Sequence, residues 1–456
     1  MDSSITQELN QELEKLMEMI LGFNITRGIT PEYEKITDAV KEFLRCYAET
    51  QLRELDAVIL ENRPKEWEVV KANQERELES DIGLLKYKRR YYRHKETKSY
   101  AHLTDLVAQI EKGSKVDIGL VIKLVEYAGD NSYAKSSKLA CNGRVSKQSV
   151  MKFARRAHDY ELDEPEPRPG VKEVHIQADE DHVSMQTGES TIVKVITVHE
   201  PTKKIKKRSY LPEKRQFVSY SEKPEDFWDR VLDYICERYD KDIKVYIHGD
   251  GALWIKAGLG IIPGSVHILD RYHLYKRVHQ LSKGNWLYEC QIFQYLRHKK
   301  VHDLKVFLET IVANDELDEG LAEENYKYLR NNKDGIWNTL KLPYRITKSC
   351  AEGQVSHVLS DRLSSRPKAW MPKGLESIPQ LRVYGLNGGV LKPEHFRLKN
   401  KTLEFHKGKI EQLRKRHAPH LCHHNLNITK SMPKASNNKF LKDISRGLIG
   451  YYVDAI

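Results

Sequence analysis

VKEVHIQADEDHVSM, from Val171 to Met185, alternates apolar and polar residues and then turns acidic. Val174, Ile176 and Ala178 recur at period two, which is the pattern of a half-buried strand. Asp179 and Asp181 then fall together on the face opposite Val174 and Ile176. Two carboxylates at a strand end repel each other unless a cation holds them. A solvated turn after an edge strand explains them equally well, so the neighbouring segments decide.

Downstream, Thr191–His199 (TIVKVITVH) reads as a second strand and Ser209–Tyr220 as a third. Between them, Lys203, Lys204, Lys206, Lys207 and Arg208 form a basic run, suited either to a phosphate backbone or to a solvated hairpin. Pro224–Tyr239 is amphipathic at helical spacing through Phe227, Trp228, Val231, Leu232 and Ile235. Asp242–Asp250 (DIKVYIHGD) is a largely apolar strand ending in a carboxylate, with Gly249 and Gly251 allowing a sharp turn. A helix opens at Ala252. Val266–Leu269 is another strand, ending at Asp270-Arg271-Tyr272-His273, and a further helix follows. The order β-β-β-α-β-α-β-α is that of a ribonuclease H-like α/β fold.

Residues 281–345 carry no strong strand pattern and read as an all-helical insertion. Beyond them, in ITKSCAEGQVSHVLSDRLSSRP (Ile346–Pro367), Glu352 sits near the start of a helix whose apolar face carries Val355, Leu359 and Leu363. Asp250 comes 71 residues after Asp179, and Glu352 a further 102 on. The second gap suits a fold interrupted between its last strand and last helix. Phosphodiester cleavage and strand transfer need an activated oxygen and charge relief at phosphorus, which two Mg²⁺ ions supply together. Mg²⁺ (or Mn²⁺) takes hard oxygen ligands. On this reading Asp179 bridges two ions, Asp250 holds one and Glu352 the other. Arg362 and Arg366 read as ordinary surface arginines, with DNA phosphate as the alternative.

Residues 1–80 read as helices. Within 81–160, DIGLLKYKRRYYRHK (Asp81–Lys95) mixes strand-forming tyrosines with Lys88, Arg89 and Arg90, candidates for phosphate contact or for a solvated edge strand. Residues 131–156, NSYAKSSKLACNGRVSKQSVMKFARR, resemble a helix-turn-helix with its turn at Cys141-Asn142-Gly143. Its second helix would offer Lys147, Gln148, Ser149, Lys152, Arg155 and Arg156 to DNA. Simple helical packing is the plainer alternative. ELDEPEPRPG (161–170) is a proline-rich linker. The catalytic domain is expected over 171–390, and 391–456 reads as a basic extension. Its cluster His417, His420, Cys422, His423 and His424 matches no ordinary zinc spacing.

The 456-residue chain holds more than one core, and its 39% hydrophobic and 31% charged residues fit a globular protein. Six scattered cysteines without a CxxC pair argue for reduced thiols. No apolar run is long enough to span a membrane. A net charge of +11 favours a polyanionic partner.

Four blocks carry a resemblance: HIQADEDHVSMQ, YIHGDGALWIKAGL, HILDRYHLYKRV and CAEGQVSHVLSDRLSSRPKAW. Together they look like those of ISLre-type insertion-sequence transposases, a bacterial family related to Mutator-like DDE transposases. The resemblance covers about residues 81–389. It implies a ribonuclease H-like catalytic domain, an N-terminal DNA-binding region and divalent-metal dependence. It puts the first catalytic Asp on Asp179, with Asp181 as a rival, the second on Asp250, and the catalytic Glu on Glu352. The Asp/Cys-x-x-His signature of the Mutator-like group falls on Asp270 and His273. The expectation is therefore a cytoplasmic, nucleoid-associated transposase that binds double-stranded DNA at terminal inverted repeats and works as a homo-oligomer. The alternatives are an inactive DNA-binding regulator and a ribonuclease H-like nuclease.

Overall fold

The computed structural model describes residues 3–23, 29–206, 208–314 and 316–396. The chain divides into two compact units. The first spans residues 1–78, 84–115 and 398–456, the last segment outside the described residues. It opens with helices α1 (Ser3–Leu21) and α2 (Ile29–Asn62). Strands β1 (Trp67–Ser80), β2 (Gly83–His94) and β3 (Tyr100–Ala101) then form a sheet, and a short helix α3 (Leu103–Val107) follows. Ile59, Trp67, Tyr92, Leu103 and Val107 make its core. The expectation of helix throughout residues 1–80 fails at β1. WEVVKANQERELES leaves most of its side chains in solvent, so it lacks the apolar alternation that marks a half-buried strand.

The second unit spans 79–83 and 116–397. Its five-stranded sheet has the order β10-β9-β4-β5-β8. Strands β4 (Glu173–Ser184), β5 (Ser190–His199) and β8 (Arg215–Ser219) pair antiparallel, whereas β9 (Lys244–Gly249) and β10 (Val266–Leu269) run parallel to β4. The single third strand expected over Ser209–Tyr220 is instead two pieces. Arg208–Tyr210 (β7) closes a small hairpin with Lys203–Ile205 (β6), and β8 follows separately.

The period-two pattern of β4 sorts its side chains onto two layers. Val174, Ile176 and Ala178 pack with Phe227, Trp228 and Val231 of α7 (Pro224–Arg238) and with Ile255 of α8 (Leu253–Ile261). Val183 points the other way, with Val193, Val195 and Val218, against α17 (Pro372–Leu386) and helices α4 (Ile118–Asp130), α5 (Tyr133–Cys141) and α6 (Lys147–Arg156). Each fully buried Val, Ile or Leu contributes roughly 1.5–3 kcal/mol. The three helices therefore belong to the sheet's own core, and the division falls near residue 115 rather than at the linker.

A helical layer follows β10: α9 (Arg271–Ser282), α10 (Trp286–Arg297), α11 (Val301–Ala313), α12 (Glu319–Asn331) and α13 (Lys333–Lys341), with a separate core around Leu274, Ile292, Leu304 and Leu329. The chain returns through α14 (Tyr344–Thr347) to α15 (Ala351–Val355), a π-helical turn (Ser356–Ser360) and α16 (Asp361–Leu363). No helix among the described residues is long and apolar enough to cross a membrane.

Arg362 departs from its expected place on the surface: it is 3% exposed. Its Nε donates to the Ala128 carbonyl (3.0 Å), and its guanidinium lies over the rings of Tyr133 (5.5 Å) and Trp370 (4.8 Å). The π-helical turn ahead of it shifts the helix face, so a straight-helix count from Glu352 misjudges its direction. Arg362→Ala is expected to lower unfolding free energy by about 2–3 kcal/mol, because a buried charged hydrogen bond and two ring contacts go together. Urea denaturation checks this; a change within about 0.5 kcal/mol, as for an exposed side chain, contradicts it.

Candidate active site

Asp179, Asp250 and Asp270 reach one place because β9 and β10, which run parallel to β4, end beside the middle of β4, where Asp179 lies. The register aligns Gln177 with His248 and Leu269 with Gly249, and the Asp270 amide donates to the Gly249 carbonyl (2.9 Å). Gly249 has no room for a side chain: a Cβ there would stand 2.9 Å from the Ala178 carbonyl oxygen. Gly251, at φ +87°, turns the chain away after Asp250, in a region that favours glycine. Asp250 Oδ1 accepts the Ala252 amide (2.9 Å). Asp270 Oδ1 caps α9 by accepting the amides of Tyr272 (2.8 Å) and His273 (3.3 Å).

Glu352 arrives from far along the chain. Gln177, two residues before Asp179 on the same face of β4, holds the approach to its helix. The Gln177 side-chain carbonyl accepts the Cys350 amide (3.2 Å) and the Ser349 hydroxyl (3.3 Å), while its amide group meets His199 Nε2 (3.2 Å). The result is a cavity of about 310 Å³ lined by Asp179, Asp250, Asp270, His273 and Glu352, with Arg271 and Lys348 among its walls. Four acidic residues and His273 thus line one space, while the Lys348 ammonium meets Ser209 Oγ (3.0 Å) and the Arg271 guanidinium meets Thr347 Oγ1 (2.8 Å) and the Thr339 carbonyl (3.0 Å).

Asp181 shares a face with Asp179 but not the cavity. It is buried, and both of its oxygens lie 2.9 Å from the Ser364 hydroxyl. Asp179 Oδ1 accepts only the next amide, that of Glu180 (2.8 Å). Burial, with Asp250 and Asp270 nearby, pushes the Asp179 carboxyl up to about 6 despite that amide and His273. Beneath it, His175 and His248 are in hydrogen-bond contact (3.0 Å) and the His175 and His199 rings stack at 5.4 Å. Burial lowers all three, to about 4 for His175 and His199, so this floor is neutral.

Hard carboxylate oxygens are a donor set that suits Mg²⁺ or Mn²⁺. Among the described residues, no three His, Cys, Asp and Glu side chains stand close enough to hold an ion as they are. Mutual repulsion of uncompensated carboxylates is the physical reason to expect such spacing; at Asp179 it adds to burial, the larger cause of the raised carboxyl.

The residues read as DNA contacts divide. Lys147, Gln148 and Lys152 are exposed along α6; Ser149, Arg155 and Arg156 are half-buried. Ser146 caps that helix by accepting the Ser149 amide (3.2 Å), and Asn142 (φ 51°) and Gly143 (φ +81°) make the turn before it. Lys88 is exposed, but Arg89 is 8% exposed and paired with Asp105, and Arg90 is paired with Asp56. The reading of Arg89 and Arg90 as phosphate contacts is corrected accordingly: the arginines of this strand serve the fold of the first unit. The histidine and cysteine cluster at 417–424 lies outside the described residues.

The Asp179 carboxyl gives a stability prediction. Its folded value, about 6, lies above the ordinary 3.8, so the folded state binds the proton more tightly. Stability then falls as pH rises between those values and stays reduced above them. In metal-free buffer Asp179→Asn is expected to raise Tm by roughly 2 °C or more above pH 6, with the gain vanishing near pH 4. Calorimetry across that range checks it; a gain independent of pH contradicts it.

A family model described as "Uncharacterised protein family (UPF0236)" matches residues 27–400. Three similar proteins come from Caldanaerobacter subterraneus subsp. tengcongensis, all named UPF0236 protein. One is 35% identical over 395 residues, covering 85% of this chain and 83% of its own length; its name joins eleven serial designations. A second is 36% identical over 377 residues, covering 81% and 80%, with four designations. A third, also 36% identical over 377 residues, covers 81% and 76% and carries two. Matched over most of its length by both the model and these relatives, the chain belongs to the UPF0236 family.

Proposed function

We propose that this chain is a DDE transposase of a bacterial insertion sequence, acting on double-stranded DNA with Mg²⁺ or Mn²⁺. The observation that carries the reading is one cavity lined by Asp179, Asp250 and Glu352, contributed by the middle of β4, the end of the parallel strand β9 and a helix beyond a helical insertion. A mixed sheet of order β10-β9-β4-β5-β8, with β5 and β8 antiparallel and β9 and β10 parallel to the first strand, supports the reading of a ribonuclease H-like catalytic domain. The capped α5–turn–α6 segment, with Lys147, Gln148 and Lys152 exposed, supports a helix-turn-helix that reads the element ends. The serial designations joined in single names of the relatives fit one protein encoded at many places in one genome, as multiplication of a mobile element produces.

Divalent ions would supply charge relief at phosphorus and lower the pKa of the attacking oxygen. Asp179, Asp250 and Glu352 would hold them. Asp181, fixed by Ser364, supports the strand and is not a ligand on this reading. His273 lines the cavity, where it would face the phosphate oxygens, and Asp270 fixes the first turn of α9 that carries it. Water first cleaves the phosphodiester at the element end and leaves a 3′-hydroxyl. That hydroxyl then attacks a target phosphorus, and the target's own 3′-oxygen departs with a proton. Synapsis of two ends calls for a homo-oligomer.

The test is strand transfer of a pre-cleaved element end into a supercoiled plasmid by the full-length protein in Mg²⁺ or Mn²⁺. Wild type is expected to give joined products, and Asp179→Asn, Asp250→Ala and Glu352→Gln to lose about 100-fold or more. Equal behaviour of wild type and variants overturns the enzyme reading in favour of an inactive DNA-binding regulator. Cut products without joining point to a nuclease.

A further inference from the structure

The helical insertion touches the site at the backbone rather than at the carboxylates. From α12, the Tyr328 hydroxyl donates to the backbone carbonyl of Asp250 (2.6 Å). One turn on, Asn332 is 4% exposed and donates its Nδ2 to the Tyr328 carbonyl (2.9 Å). Its side chain fills the space beside Gly251, where a Cβ would stand 2.1 Å from Asn332 Oδ1. Lys256, in the helix after Asp250, donates from Nζ to the Asn331 carbonyl (3.0 Å). The Tyr328 ring is backed by the Arg277 guanidinium (4.9 Å), and Arg277 in turn bonds Glu324 (2.9 Å) and Asn325 (3.1 Å).

The same layer grips the neighbouring strand end. The Thr339 hydroxyl reaches the Leu269 carbonyl (2.8 Å), one residue before Asp270, and Asn338 Nδ2 donates to the His267 carbonyl (2.9 Å). Arg271, one residue after Asp270, donates to the Thr339 carbonyl (3.0 Å). Both acidic strand ends, from β9 and β10, are thus tied to α12 and α13 by hydrogen bonds from side chains to backbone carbonyls. The bonds made by Tyr328, Thr339 and Arg271 each act within one residue of the acid concerned.

We infer that the insertion positions the metal-holding carboxylates and that Tyr328 is the positioning residue for Asp250. The inference rests on the transposase reading, since it presumes that Asp250 holds a divalent ion. Among the described residues, the Asp250 carbonyl is held by the Tyr328 hydroxyl, the Gly251 backbone lies against Asn332, and the turn precedes a helix. Its orientation relative to Asp179 therefore depends on the Tyr328 bond and on the Asn332 side chain. Positions that fix a ligand from outside its own atoms change metal affinity by roughly 10–100-fold when lost.

The test is Mn²⁺ binding to the full-length protein, read from loss of the free-ion electron paramagnetic resonance signal. Tyr328→Phe keeps the ring and its Arg277 contact and removes only the hydroxyl. The control is Tyr288→Phe, which removes a hydroxyl bonded to Glu316 (2.6 Å) elsewhere in the same helical layer. Lys256→Met, a surface change, cuts a second tie and keeps the comparison open if Tyr328→Phe folds poorly. Tyr328→Phe is expected to weaken Mn²⁺ binding about 10-fold and Lys256→Met by a smaller factor, with Tyr288→Phe unchanged. Higher Mn²⁺ should restore strand transfer to Tyr328→Phe, while its DNA affinity stays at the wild-type value. Wild-type Mn²⁺ affinity in both variants, or equal weakening in all three, overturns the inference. If wild type binds no Mn²⁺, or Asp250→Ala binds as wild type does, the transposase reading itself fails.

Discussion

Carboxylates brought into one partly desolvated space repel each other, and the rest of the second unit is arranged to hold them there. The Asp179 carboxyl is raised to about 6 by burial, with Asp250 and Asp270 beside it. Nothing in the local chain favours that arrangement. It is imposed by the ends of β9 and β10 beside the continuing strand β4, by glycines that let backbones approach, and by side chains from elsewhere: Gln177 on the segment before Glu352, Tyr328 on the Asp250 turn and Thr339 on the end of β10. On the proposed function, a divalent ion would offset that repulsion and draw the carboxylates together.

The two layers on the central sheet divide this labour. One face of β4 is closed by α7 and α8 and carries ordinary apolar packing. The other face carries, in turn, the neutral His175, the bridging Gln177, the acidic Asp179 and the fixed Asp181 before it returns to apolar contacts at Val183. Helices α4 to α6 pack against that same layer together with α17. On the proposed function, the helices that meet DNA and the strand that bears the first carboxylate thus share a core, so DNA binding and chemistry are mechanically joined within one unit.

The central sheet was legible because its strands obey a simple period: Val174, Ile176 and Ala178 announce β4, and apolar runs announce β5, β9 and β10. The helical insertion and the position of Glu352 beyond it were legible from the loss of strand pattern and from spacing. Period two also set the limit. Asp179 and Asp181 occupy the same face, and only Ser364, distant in sequence, separates them. Strand β1 was missed because exposure on both faces leaves no alternation to read. Arg89, Arg90 and Arg362 were misjudged for a common reason. A positive charge in a sequence does not reveal its partner, and Asp105, Asp56 and the Ala128 carbonyl are each remote along the chain. Gln177 and Tyr328 carried no signal, since polar residues that fix backbone are chemically ordinary.

The most direct measurement is anomalous diffraction at the manganese edge from crystals of the full-length protein grown or soaked in Mn²⁺. The account predicts anomalous density in the cavity, in contact with Asp179 and Asp250 and with Glu352 turned toward it. Crystals that hold Mn²⁺ elsewhere but show none between Asp179 and Asp250 would contradict it.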